Sequence, residues 1–300
     1  MKRHFILITM IALSLALSAE IHSEAGKYGF KFLNIPLNPV SSALAGRGVH
    51  SEANIGSWIL QPSAAAMYSH QAVAISHSSW LGDTAYTSVV YSNASRNSHI
   101  GLALRNLSYG EIDKRDETGL YLGTYSPTDI GVSGNYARRL SPSIYVGANL
   151  NVAYQKLDTA SALALTADLG ITTLTLLKDS RVSFSARNLG FSNKMDEENV
   201  KLPHSFDLDV YKGFQFNEQH LGLESGVVFP PDADPQAHIA SELTLLERLH
   251  LRAGYKFNTD VSGITAGLGF AISGFNLDYG FTPHDDGLGD AHSFGLSYSF

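Results

Sequence analysis

From about residue 69 to residue 300 the sequence repeats one pattern: large apolar side chains alternate with small or polar ones. Residues 143–156 show it most clearly. Ile144, Val146, Ala148, Leu150, Val152 and Tyr154 interleave with Tyr145, Gly147, Asn149, Asn151 and Ala153. A period of two puts one set on each face of a β-strand. About fourteen such segments follow one another, the first over residues 70–79 and the last over 293–300. The phase opposite the aliphatic residues carries Asn149, Asn151, Asp168, Arg187, Asp207, Asp209, Glu224, Arg252, Lys256, Asn276 and Asp278. After the N-terminal region no run of about 18 apolar residues occurs, so no spanning helix is available. In lipid, the alternative that satisfies every backbone group is a closed barrel.

The connections separate a barrel from a soluble sandwich, which also alternates. Residues 110–128, 190–204, 230–237 and 282–290 are long and rich in Asp, Glu, Pro and Gly. Those at 139–142, 176–180, 247–248 and 273–274 are tight, and the two kinds fall on alternate gaps. Short turns at one end and long loops at the other mark a transmembrane β-barrel. The expected fold is therefore all-β, an antiparallel barrel of about 14 strands. The short gap at 80–84 fits this sorting poorly. Composition agrees: 16% of residues are charged, Tyr and Phe are abundant, and mean hydropathy is −0.03, near the cancellation alternation produces. The net charge of −7 argues against a nucleic-acid partner. Cysteine is absent, which excludes disulfides and thiolate chemistry.

Lys2, Arg3 and His4 precede an apolar stretch over residues 5–17 and then small residues. This is the form of a secretory signal peptide, expected over residues 1–19 with cleavage between 18 and 25. Residues 26–67 do not alternate. They are apolar, broken by Pro36, Pro39, Gly46 and Gly48, and are expected to form a partly helical plug against the barrel of residues 69–300. Phe32, Ile35, Leu37 and Trp58 are its candidate pocket-lining residues. Phe294, Leu296, Tyr298 and Phe300 form an aromatic-ended strand. It is expected to close the sheet against residues 70–79 and to serve as the assembly signal read by barrel-insertion machinery. Tyr86, Tyr91, Tyr154, Tyr211, Phe229, Phe257, Phe281 and Phe300 lie near strand ends, as interfacial aromatic girdles do, though aromatics are also enriched in strands generally.

Three segments carry a family resemblance. They are Phe32-Leu-Asn-Ile-Pro36, Ala43-Leu-Ala-Gly46-Arg-Gly48 and Gln61-Pro-Ser-Ala64, joined further on by Ala167-Asp-Leu-Gly170 and Arg187-Asn-Leu-Gly190. In order and spacing they resemble the PorV/PorQ family of outer-membrane barrels, which is related to the FadL-type fatty-acid channel. Gln61-Pro-Ser-Ala-Ala stands where the family has an Asn-Pro-Ala-Gly-Leu-like segment, and the acidic residue nearest upstream is Glu52. The resemblance implies a bacterial outer-membrane component of type IX secretion. Its partners would be secreted cargo and a sortase, met at the long loops. A FadL-like channel for hydrophobic small molecules, gated by the plug, is the alternative. No catalytic motif or metal-ligand spacing occurs, so neither an enzyme nor a cofactor is expected. The run from His284 to Asp290 lacks the full ligand series of a calcium loop and reads as a solvated acidic loop.

Overall fold

The computed structural model describes residues 22–68, 71–259, 263–284 and 289–300. The expected signal peptide, His70 and most of the acidic run after His284 lie outside these. Eighteen strands follow in chain order. They are β1 (Gln71–Ser79), β2 (Ala85–Ala94), β3 (Ser98–Ser108), β4 (Ile112–Arg115), β5 (Tyr121–Tyr125), β6 (Thr128–Arg139), β7 (Ile144–Leu157), β8 (Ala160–Leu174) and β9 (Ser180–Ser192). Then come β10 (Lys194–Met195), β11 (Glu198–Asn199), β12 (Ser205–Phe216), β13 (Gln219–Phe229), β14 (Gln236–Leu245), β15 (Leu249–Phe257), β16 (Ile264–Ile272), β17 (Phe275–Thr282) and β18 (Ala291–Ser299). Fourteen of them form one closed antiparallel barrel, each beside its neighbour in sequence. The other four make two small hairpins, β4–β5 and β10–β11, inside the long loops. The sequence pattern did not show these because the strands are too short to display a period of two.

β18 closes the barrel on β1, with Val73 opposite Tyr298 and Ile75 opposite Leu296. The Phe300 amide donates to the Gln71 carbonyl at 3.0 Å. Phe294, Leu296, Tyr298 and Phe300 all point outward and are exposed. So are large aliphatics around the whole wall, such as Leu102, Leu150 and Leu277, each more than half exposed. An aqueous surface would not tolerate so continuous an apolar band, whereas lipid would. No helix among the described residues is long and apolar enough to cross a membrane. Two of the eight girdle aromatics are corrected. Tyr86 and Tyr211 lie in the inward phase, Tyr86 wholly buried against the plug and Tyr211 under the Arg181 guanidinium at 4.4 Å.

Residues 22–68 thread the lumen. They begin at the long-loop mouth, where Tyr28 pairs with Lys201, and finish beside the tight turns, where Met67 meets Arg181. The one α-helix among the described residues, Pro39–Ala43, starts for local reasons. Asn38 caps it by accepting from the Ser41 amide at 2.9 Å, and Pro39 occupies the first turn, where its missing N–H costs nothing. The apolar core lies between plug and wall: Phe30, Phe32, Leu37, Trp58 and Ile59 pack on Tyr86, Val90 and Leu107. Gly147 and Gly280 show how tight the fit is. A Cβ on Gly147 would sit 2.2 Å from the Pro62 carbonyl oxygen, and one on Gly280 2.5 Å from that of Pro39. Both obstacles are backbone, so the plug itself would have to move.

Gly147→Leu is therefore expected to assemble as a barrel with its plug displaced. Limited trypsin digestion should cut after Arg47, which is buried in the wild type. Equal protection of that bond in both proteins would refute the seating role.

Candidate functional site

The lumen is polar because alternate residues of every strand face it, and the plug supplies the partners they need. Arg47 stands between two glycines, Gly46 and Gly48, both with φ near +70°, which turn the chain sharply enough to push its side chain into the wall. Its Nη1 donates to Asp207 Oδ2 at 2.9 Å and its Nη2 to Asp209 Oδ2 at 2.6 Å. Arg187 Nε donates to the same Asp207 oxygen at 2.8 Å. All four side chains are buried. Next to them Glu224 accepts from the backbone amides of Gly48, Val49 and His50 at 3.0, 3.2 and 3.1 Å. The left-handed turn at Gly48 aims those amides at one point, an anion-binding nest. Beyond it, Ser51 donates to Glu242, which also accepts from Arg252, and Arg252 reaches Asp278 at 2.6 Å.

Asp209, Glu224 and His238 bring ligand atoms within 4.8 Å of one another, which is metal-ligand spacing. Arg47 already occupies Asp209, and three amides occupy Glu224. The cation serving this cluster is therefore the guanidinium.

A second feature lies in the wall. Opposite Asp168 on β8 stand two residues of β9, Arg187 and Asn188, a β-bulge. Asn188 has φ 54°, and its amide donates to Asp168 Oδ1 at 2.7 Å. Its side-chain Nδ2 donates to the Pro203 carbonyl at 3.0 Å and to Asn34 of the plug at 3.2 Å. Beyond the bulge β9 continues to Ser192, but its pairing with β12 ends at Arg187 opposite Ser205. A cleft of about 650 Å³ opens there, lined by Leu189, Phe191, Leu202, His204, Phe206 and Tyr28. Phe191 and Phe206 face outward on the apolar surface. Inside, a cavity of about 300 Å³ is lined by Asn34, Arg187 and Ser205, the last two being chain neighbours of residues that line the cleft. Asn188 and its bonds form the partition.

The N-terminal strap covers this place. Gly29 donates to the Lys201 carbonyl, and Lys201 lies over the Tyr28 ring at 5.4 Å. Glu24 accepts from Lys27 and Lys201, both at 2.9 Å, and they hold its carboxyl down at about 2.

Of the sequence candidates, Phe32, Leu37 and Trp58 are buried and Ile35 is packed beside them. They fill the space between plug and wall, and none of them lines the cleft or the cavity beneath it. Arg47 and Asn188 were not singled out from the sequence. The signal for each was present: a charge flanked by glycines in an apolar stretch, and a motif, Arg187-Asn-Leu-Gly190, whose alternation breaks.

No family model matches this chain, and no curated protein does. Solved structures do. The CymD monoaromatic hydrocarbon channel superposes with a TM-score of 0.59 at 12% identity, covering 89% of this chain and 97% of that one. The toluene transporter TodX of Pseudomonas putida gives 0.58 at 11%, covering 83% and 93%. A FadL homologue of Pseudomonas aeruginosa gives 0.54 at 10%, covering 88% and 98%. The chain has a FadL-like outer-membrane barrel fold. The likeness is to FadL-like barrels as a class and does not single out PorV/PorQ members.

Arg47→Met removes the shared partner of Asp207 and Asp209. Asp207 keeps Arg187 and Asp209 is left with His238 alone, and breaking a buried ion pair by removing one partner costs about 3–5 kcal/mol. Urea unfolding followed by tryptophan fluorescence should show a loss of that size, partly recovered in Arg47→Met/Asp209→Asn. An unchanged midpoint would dissociate the ion network from stability.

Proposed function

We propose that this protein is an outer-membrane channel for hydrophobic small molecules, and that the cleft beside Asn188 is the side door between its lumen and the membrane. The observation that carries this reading is the interrupted β9–β12 pairing. A closed barrel has no reason to leave strand edges unpaired at an apolar surface, because each unsatisfied backbone group there costs free energy. Here a bulge, a buried carboxylate and an asparagine in left-handed conformation hold the break open. Leu189, Phe191, Val200, Leu202, Phe206 and Tyr28 give the cleft an apolar and aromatic wall that suits a hydrophobic ligand, and Asn188, Ser192, Asn199, Lys201 and His204 complete its lining. The plug obstructs the straight route, since its core side chains pack on the wall and its backbone lies against wall glycines. Two of the structurally similar barrels, CymD and TodX, are a monoaromatic hydrocarbon channel and a toluene transporter, which supports this reading.

Deleting Asn188 removes the bulge yet keeps Leu189 and Phe191 in outward phase. The variant should reach the outer membrane and lose uptake of labelled toluene, measured in intact cells, to the level of cells without the barrel. Undiminished uptake by an assembled variant would rule out the side door.

A second reading, cargo handling in type IX secretion, rests on one observation besides the PorV/PorQ resemblance. The β4–β5 hairpin at the long-loop end exposes Leu120, Tyr121 and Leu122. An exposed apolar hairpin of that kind suits a protein partner. Affinity capture from cells secreting proteins with a shared C-terminal β-domain should recover those proteins and lose them when residues 112–125 are replaced by a Gly-Ser turn. Equal recovery with both barrels would count against it.

A further inference from the structure

The cavity beneath the cleft has an electrostatic imbalance that the channel reading does not use. Its lining includes four cationic side chains, Lys31, Arg47, Arg187 and Lys256, and one carboxylate, Asp232. Lys31 is paired with Asp232. Arg47 and Arg187 are held by Asp207 and Asp209 behind the cavity wall. The Lys256 ammonium makes no hydrogen bond and no ion pair among the described residues, while its backbone amide donates to the Gly263 carbonyl at 2.8 Å. The lumen-facing arginines Arg105, Arg181 and Arg252 each hold at least one oxygen. The unpaired ammonium is thus an exception within an otherwise matched lining.

The fold places it deliberately. Lys256 lies in the inward phase of β15, directly opposite His238 on β14, and His238 lies opposite Gly226 on β13, which faces Asp209 on β12. The four positions form one rung of the wall. Gly46 of the plug faces the lysine. A Cβ there would come within 3.3 Å of Lys256 Cε and Nζ, so the glycine leaves the ammonium open to the cavity. The rest of the lining is aliphatic at Pro36, Leu60, Val228 and Pro230 and polar at Asn34, Ser205, Gln236, His238 and Thr259.

We propose that this cavity binds the carboxylate of a small organic acid, with Lys256 as its counter-charge and the aliphatic walls around its apolar body. A partly desolvated ammonium without a partner is costly, and an anion removes that cost. One unpaired positive charge calls for a monoanion. A phosphate dianion would leave excess negative charge beside Asp207, Asp209 and Glu224. A cavity of about 300 Å³ is at the small end of ligand sites, which suits one ring or a short chain. The proposal names a ligand class for the channel and rests on that reading only for the ligand's route. Binding can be measured apart from transport.

Titration calorimetry on the full barrel in detergent, with benzoate and with toluene as probes, tests it. The two differ by a carboxylate in place of a methyl group. Wild type should bind benzoate, and Lys256→Met should weaken that binding by about 30-fold, the size expected for truncating one side of a buried charge pair. Lys256→Arg should retain most of it, and toluene should not distinguish the variants. If Lys256→Met does not assemble, judged by heat-modifiable migration, Lys256→Gln takes its place. Benzoate binding that is absent from the wild type, or untouched by loss of the charge, overturns the proposal. So does displacement by inorganic phosphate at equal concentration. Lys256-dependent binding without uptake would remove the channel reading and leave this one standing, and toluene uptake without such binding would do the reverse.

Discussion

Everything inside this barrel depends on matching a charged wall to a threaded peptide. A lumen facing Asp207, Asp209 and Glu224 from two adjacent strands is unstable when dry, because like charges at such spacing repel in a low-dielectric interior. Water could solvate them, as in an open pore. Here the plug does so, with a guanidinium for the aspartates and three backbone amides for the glutamate. Each set is specific in position. The guanidinium needs the glycines on either side of it, and the amides need the turn that Gly48 makes. The wall thereby specifies not only that something fills it but which stretch of chain sits at which height.

The barrel was legible in the sequence to a degree the site was not, for a physical reason. Strand alternation and loop parity are local and repeat fourteen times, so an error at one gap, such as the tight turn over Leu81–Asp83, does not disturb the rest. The closing pair of β1 and β18 follows from the same logic. Which inward charge meets which plug residue is set by register between segments more than a hundred residues apart, as with Arg47 and Asp207, and no local pattern encodes it. The girdle assignment failed at Tyr86 and Tyr211 because position near a strand end does not determine phase. The bulge was half legible. Arg187 was placed inward correctly, while the next residue, Asn188, also turns inward and resets the phase for Leu189 and Phe191.

That reset has a consequence for how plug and wall communicate. Of the short motifs quoted from the sequence, Gly46-Arg-Gly48 supplies the plug cation, Ala167-Asp-Leu-Gly170 supplies the carboxylate that holds the bulge, and Arg187-Asn-Leu-Gly190 supplies the bulge. Arg187 shares Asp207 with Arg47, while its neighbour Asn188 ties the plug at Asn34 to the loop at Pro203. The plug and the wall cleft are therefore joined by two consecutive residues, one through charge and one through hydrogen bonds. A plug shift that lengthened the Arg47–Asp207 contact would leave a buried carboxylate with Arg187 alone. Because the motifs sit far apart in sequence, their convergence on one junction is better explained by a common structural task than by chance.

Two kinds of opening meet at that junction, and their linings differ in chemistry. Outside, the cleft offers rings, aliphatic chains and one face of Tyr28, and its one cation, Lys201, is already paired with Glu24. Inside, the cavity adds cations, one of them unpaired. An apolar molecule gains from both through burial of its surface. Only an anion gains further inside, and its charge penalises the apolar cleft on the lipid side. The two linings thus favour different ends of an amphipathic ligand, apolar body outward and charged group inward. Asn188, a neutral side chain able to donate and accept, is a suitable divider. It satisfies both sides in the closed state and carries no charge that would trap the ligand at the threshold.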